Sequence, residues 1–288
     1  MKRHFLPLDV SLVRSTTFLL AMFVLIPGVI GQDYVRTFTA THVGMTHSSD
    51  LAGATELHFN IGHRFGEIGG GFYDMFGLDL ATIRLGFDYG ITDFLTVGIG
   101  RSTFEKTWDI YTKLAALRQS EEGSPVSLTG IAGWSVNTLK NIYPEDNEGF
   151  WPRSSIFLQF ILARKQGIFS AQLSPIVLRN NYDYRLSEDH SVFALPVTGS
   201  LGITKRIAVT VQYIPVFNQP DYFEENPLSL GFDFDTGGHQ FQLIFSNSTG
   251  MFEKAVLMNT NGSWLDGKIY FGFNLVRVFY LGNKDENL

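Results

Sequence analysis

The chain has 288 residues, of which 17% are charged, with 26 Phe, 29 Gly and a formal charge of −6. That charged fraction is below the roughly 25% usual in a soluble domain, and the acidic balance argues against nucleic-acid binding, which needs a clustered basic field. No cysteine is present, which excludes disulfides, thiolate metal sites, a cysteine nucleophile and a lipidated cysteine anchor.

Residues 1–31 open with Lys2 and Arg3 and carry a 13-residue apolar run, Phe18 to Ile30. The run is shorter than the roughly 20 residues a spanning helix needs, and short residues precede Gln32. It is expected to be a cleaved secretory signal. Residues 32–53 lack alternation and are expected to form a periplasmic arm or a plug inside a lumen.

From Ala54 onward, apolar and polar residues alternate with period two in twelve runs of nine to thirteen residues: 54–63, 81–90, 93–102, 107–118, 126–138, 154–165, 168–179, 191–203, 207–217, 227–235, 239–248 and 268–280. Strands of globular proteins usually have about 5–6 residues, whereas a tilted strand crossing a bilayer needs about 9–11. The connections alternate in length. Long ones (64–80, 139–153, 180–190, 249–267) are separated by short ones (91–92, 166–167, 204–206, 236–238). Bacterial outer-membrane barrels have an even strand number, short periplasmic turns and long outer loops. The pattern predicts an all-β fold: a single antiparallel transmembrane β-barrel of about 12 strands with up-and-down topology over 54–280, followed by a periplasmic tail at 281–288. The connection 103–106 is a short one where a long one belongs. Short helical turns are expected in 64–80, after its glycines, and at 251–258.

The second and third runs show the two faces. Leu85, Phe87, Tyr89, Leu95, Val97 and Ile99 share one face and are expected to meet lipid. Arg84, Gly86 and Asp88 share the other. A charge at Phe87 should be costly, whereas Gly86→Ser should be mild. The run 154–165 is apolar on both faces, so packed side chains should cover its inner one. The inward polar set of the first four strands is Glu56, His58, Arg84, Asp88, Asp109 and Lys113. Such a set can fill a narrow lumen as a self-satisfied ion network, or form a selectivity zone for small polar solutes.

Catalysis is not expected. His58 and Asn60 lie near one another and serines are many, yet there is no GxSxG elbow. His42 and His47 are too isolated to predict a metal site, and no cofactor motif is present.

The stretch HFNIGHRFGEIGGGFYDMFGLDLATIRLGFDYGITDFLTVGIGRS (58–102), with FDTGGHQFQLIFSNSTGM (234–251) and YFGFNLVRVF (270–279), resembles a family of outer-membrane barrels of Bacteroidetes-type bacteria, domain of unknown function 5777. The resemblance implies a β-barrel in the outer membrane of a Gram-negative bacterium and supplies no activity. The expected function is passive or facilitated passage of a small solute. The alternatives are a non-transporting anchor or scaffold for a periplasmic or surface partner and, less favoured, a barrel-embedded hydrolase. The partners implied are outer-membrane lipid, the barrel-assembly machinery and a small solute.

Overall fold

A computed structural model describes residues 34–140, 142–144, 149–223 and 225–282. The expected signal segment and the last residues of the expected tail lie outside these. Twelve antiparallel strands close into a barrel. They are β1 (Glu56–Glu67), β2 (Ala81–Thr92), β3 (Leu95–Ser102), β4 (Trp108–Leu117), β5 (Ser127–Val136) and β6 (Ser154–Gln166). Then come β7 (Phe169–Leu173 and Ile176–Asp183), β8 (Glu188–Ala194 and Val197–Gly202) and β9 (Ile207–Tyr213 and Val216–Phe217). The circuit is completed by β10 (Leu228–Asp235), β11 (His239–Ser246) and β12 (Tyr270–Tyr280). Each strand pairs with its chain neighbour, and β12 returns to β1, with Leu275 opposite Ile61 and Phe279 opposite Leu57.

Alternation makes the strands, and two of the sequence expectations about their ends need correction. The first run does not stop at residue 63. Arg64 continues the inward face, while Phe65 continues the outward one and stacks on Phe271 at 5.5 Å. The connection 180–190 is not long. β7 and β8 pair as far as Asp183 and Glu188, leaving only residues 184–187 as the turn. Arg185 holds that turn by lying 3.7 Å over the Tyr222 ring while its guanidinium bonds Asp183. Both expected helical regions are present. Single 3-10 turns occur at Ile68–Gly70 and Met75–Gly77, and a short helix, α1, spans Glu253–Met258.

β7, β8 and β9 are each broken at a proline: Pro175, Pro196 and Pro215. Proline has no N–H to give to a ladder, but its carbonyl still accepts. Phe160 N–H bonds the Pro175 carbonyl at 3.1 Å, Ser174 bonds Pro196 at 3.0 Å, Leu195 bonds Pro215 at 3.0 Å and Ile214 bonds Pro227 at 2.9 Å. The four prolines therefore form one line across adjacent strands, which the sheet crosses with half of its ladder intact.

The apolar core is inside the barrel. Phe157, Ile161 and Ala163 of β6 point inward and are buried with Ile131, Ile176 and Leu178, so the doubly apolar run has the covered inner face expected of it. What covers it is Phe38, Val43 and Met45 of the N-terminal segment, together with Val256, Leu257 and Met258 of α1. Outside, Leu85, Phe87, Ile99, Ile110, Leu158 and Phe160 remain about half exposed. A soluble protein rarely shows so continuous an apolar exterior.

Candidate functional site: an occupied lumen

Residues 34–53 enter the barrel from the short-turn end, where the Val35 amide bonds the Gln119 carbonyl at 2.7 Å. They rise, reverse and descend to the same end, where the Thr55 amide bonds the Gly90 carbonyl at 2.9 Å. The reversal is a minimal hairpin, His42–Val43 against Thr46–His47. Gly44 at its tip has φ +59, and a Cβ there would stand 2.8 Å from Gln212 Oε1. Glycine meets both the left-handed backbone and the close approach of the wall. Within the plug, the Asp50 carboxylate accepts the amides of Phe38 (2.7 Å) and Thr37 (3.1 Å) and pins the two legs together. Burial pushes its pKa up even so.

The wall meets the plug chiefly through the plug's backbone. Lys113, wholly buried on β4, points its ammonium at three plug carbonyls: Thr41 (2.7 Å), Asp50 (2.9 Å) and Ser48 (3.1 Å). Gln172 accepts the Ser49 amide at 3.0 Å and donates to the His47 carbonyl at 2.8 Å. Gln212 does the same for Met45 and Val43, at 2.8 and 3.2 Å. Thr129 and Ser170 donate to the carbonyls of Ser49 and Thr37 at 3.0 and 2.6 Å.

All six members of the inward polar set lie on the inner face, and they fall into three groups. Glu56 accepts from His58 at 2.9 Å and from the Gly53 amide at 2.9 Å, closing the plug's exit. Arg84 grips Asp109 with both Nε and Nη2. Asp88 takes the hydroxyls of Tyr111 and Thr41, while Lys113 takes the plug carbonyls. The set is therefore not one ion network, because its central charges are spent on the plug. Asp88 pairs across from His58 in register, above Glu56 rather than level with it. The absence of a side chain at Gly98 of β3 makes room for the group: a Cβ there would lie 2.2 Å from the Tyr111 ring. Gly86→Ser, mild by sequence reasoning, would put its Cβ 2.8 Å from the Arg84 guanidinium that Asp109 holds.

At the long-loop end, every residue of α1 is buried. Glu253 meets His47 of the plug at 3.2 Å, and Lys254 meets Glu105 of the 103–107 turn at 3.1 Å. The helix thus bridges an outer loop and the plug tip. Burial pushes the Glu253 carboxyl up to about 7 and, with His42 adjacent, holds the His47 imidazole well below its ordinary value. His42 and His47 pair across the hairpin with ring centroids 4.4 Å apart.

Sequence reasoning missed Tyr111, Arg64, Gln172, Gln212 and Glu253. Tyr111 shares its strand face with Asp109 and Lys113, and Gln172 and Gln212 are single polar positions in alternating runs, which a period-two pattern does not distinguish from other lumen residues. Arg64 lay past the expected strand end, where it donates to Asn274 at 2.9 Å. Nothing in the local pattern points Glu253 at a histidine two hundred residues earlier.

The family model described as Membrane bound beta barrel domain (DUF5777) matches residues 38–279. Among solved structures the chain is similar to an outer membrane channel from Pseudomonas putida F1. That match has a TM-score of 0.50 at 14% identity and covers 80% of this chain and 97% of that one. The NanC porin follows at 0.49, 9% identity and coverages of 78% and 98%. The translocator domain of the autotransporter NalP from Neisseria meningitidis follows at 0.39, 11% and coverages of 94% and 98%. At these identities the first likeness is one of fold. No curated protein matches. Spanning barrels with short turns at one end and long loops at the other are outer-membrane proteins, and the chain belongs to this family of membrane-bound β-barrels, in the outer membrane.

Proposed function

We propose that the barrel passes a small polar solute and that residues 34–53 are its gate, seated here in the closed state. One observation carries this reading. The plug is a hairpin whose two ends both leave by the short-turn mouth, so it can be withdrawn toward the periplasm without threading chain through the wall. Most polar wall contacts are hydrogen bonds to its backbone, which water can replace at little enthalpic cost. The polar face behind it, with Arg84, Asp109, Asp88 and Lys113, would then line the path. In the same reading Leu85, Phe87, Tyr89, Leu95, Val97 and Ile99 face lipid, and insertion follows the ordinary route through the barrel-assembly machinery. His58 and Asn60 point into the lumen and His58 is bound by Glu56, which supports a non-enzymatic barrel.

A second reading, a closed anchor or scaffold, is favoured by α1, which fills the lumen from the other end. Planar-bilayer recording separates the two. Wild-type protein should be silent or open rarely, while deletion of 34–52, or Lys113→Met in the full chain, should give frequent discrete conductance steps. Silence of both variants, each confirmed as folded by heat-modifiable gel migration, would sink the gated passage and leave the scaffold.

A further inference from the structure

A cavity of about 480 Å³ opens at the short-turn mouth, between the plug and the ends of β6–β9. Small-molecule sites are commonly about 300–1,000 Å³. Lys165, Lys205 and Arg206 line it, in a chain whose overall charge is −6. Among the described residues none of the three is in an ion pair. Lys165 has only a long contact of 3.4 Å to the Arg36 carbonyl. The one acid on the lining, Asp235, accepts the Gly237 amide of its own turn at 2.8 Å and is in none of these ion pairs. On the plug side the lining includes Thr37, which is 2% exposed and whose Oγ1 has no hydrogen-bond partner. A buried hydroxyl without a partner is uncommon. Thr37 shares this lining with three cations that make no ion pair among the described residues.

We propose that this cavity is an oxyanion site, taking a phosphate- or carboxylate-bearing molecule on Lys165, Lys205 and Arg206 with Thr37 as a hydroxyl donor. Charge-assisted hydrogen bonds to an oxyanion would satisfy all four groups. Thr37 belongs to the plug, and Ser170, on the same lining, donates to the Thr37 carbonyl at 2.6 Å. An occupant therefore touches wall and plug at once and ties gate position to site occupancy. As the class of solute carried, the oxyanion rests on the passage reading above. As a binding site it does not.

The test is equilibrium titration of inorganic phosphate into the full-length protein in an uncharged detergent, at low and physiological salt. Wild type should bind saturably and more weakly as salt rises. Lys165→Gln with Arg206→Gln should weaken binding by about tenfold or more, and Thr37→Val by a smaller factor. Lys165→Arg should retain binding, as should the outer-rim control Lys268→Gln. No saturable binding in wild type, or equal binding in the folded double-glutamine variant, would overturn the site. A second arm adds phosphatidylglycerol or phosphatidylcholine. Competition by the first alone assigns the occupant to a lipid headgroup, and competition by neither assigns it to a free solute. Phosphate binding by a barrel that shows no conductance after plug deletion would leave the site standing and remove passage.

Discussion

Lys113 shows how one residue can decide what a lumen does. Its side chain is fully buried, and its donors are used by the Thr41, Ser48 and Asp50 carbonyls. Lys113→Met removes three charge-assisted bonds and strands three carbonyls, which should weaken plug seating by about 3 kcal/mol, read as faster hydrogen exchange over residues 40–50. Gly98 is the space that lets Tyr111 reach Asp88. Gly98→Ala should displace the ring, cost about 1–3 kcal/mol in unfolding titrations and loosen Thr41, which shares the Asp88 carboxylate. The plug tip also carries a pH dependence with two signs. His47 is held below its ordinary 6.5, so the unseated plug binds the extra proton and seating weakens as pH falls below about 6.5. Glu253 is raised from 4.5 to about 7, so between those values the seated state binds more protons and seating weakens as pH rises. The two oppose each other between 4.5 and 6.5. Burial also lowers His42, on the same hairpin, from 6.5 to about 3, which adds a second proton with the sign of His47, so plug amide exchange, corrected for its intrinsic pH dependence, should accelerate as pH falls below about 6.5. In Glu253→Gln, which loses the opposing proton, the acceleration below about 6.5 should be steeper.

Among the elements, strand length and alternation were legible because a membrane imposes both: a strand must cross about 30 Å of hydrocarbon and turn one face to it. All twelve runs contain a strand. The ends were less legible, for a reason seen at Arg64 and at Asp183. Beyond the hydrocarbon, ladder pairing continues where hydrogen bonds and ring stacking favour it, and no hydrophobic pattern reports that. The plug was invisible as a shape. Thr37–Ala52 has no period, because its contacts run to many strands at once and its backbone, more than its side chains, is what the wall recognises. The alternating runs 168–179, 191–203 and 207–217 each continue across a proline. In the sheet each proline loses only its own donor while its carbonyl keeps the neighbour, so the strands persist.

The whole molecule reverses the soluble arrangement, with half-exposed Phe87 and Ile99 outside and Lys113, Gln159 and Gln212 fully buried within. Phe87→Arg, which also breaks the 5.0 Å stack on Phe59, should cost about 2–4 kcal/mol if the site is near the bilayer midplane. Refolding into lipid vesicles against urea would measure it, and an unchanged midpoint would mean that the outer face does not meet hydrocarbon there. The sequence by itself determined the class and the strand number and set six polar residues, five of them charged, on one face of the first four strands, because period two and span length are local consequences of a bilayer. Only the tertiary structure decided what those charges do. Asp88 and Lys113 are neither a free network nor an open selectivity zone but the seat of residues 34–53. That outcome depends on which distant segment fills the space the closed sheet leaves, and no local pattern encodes it.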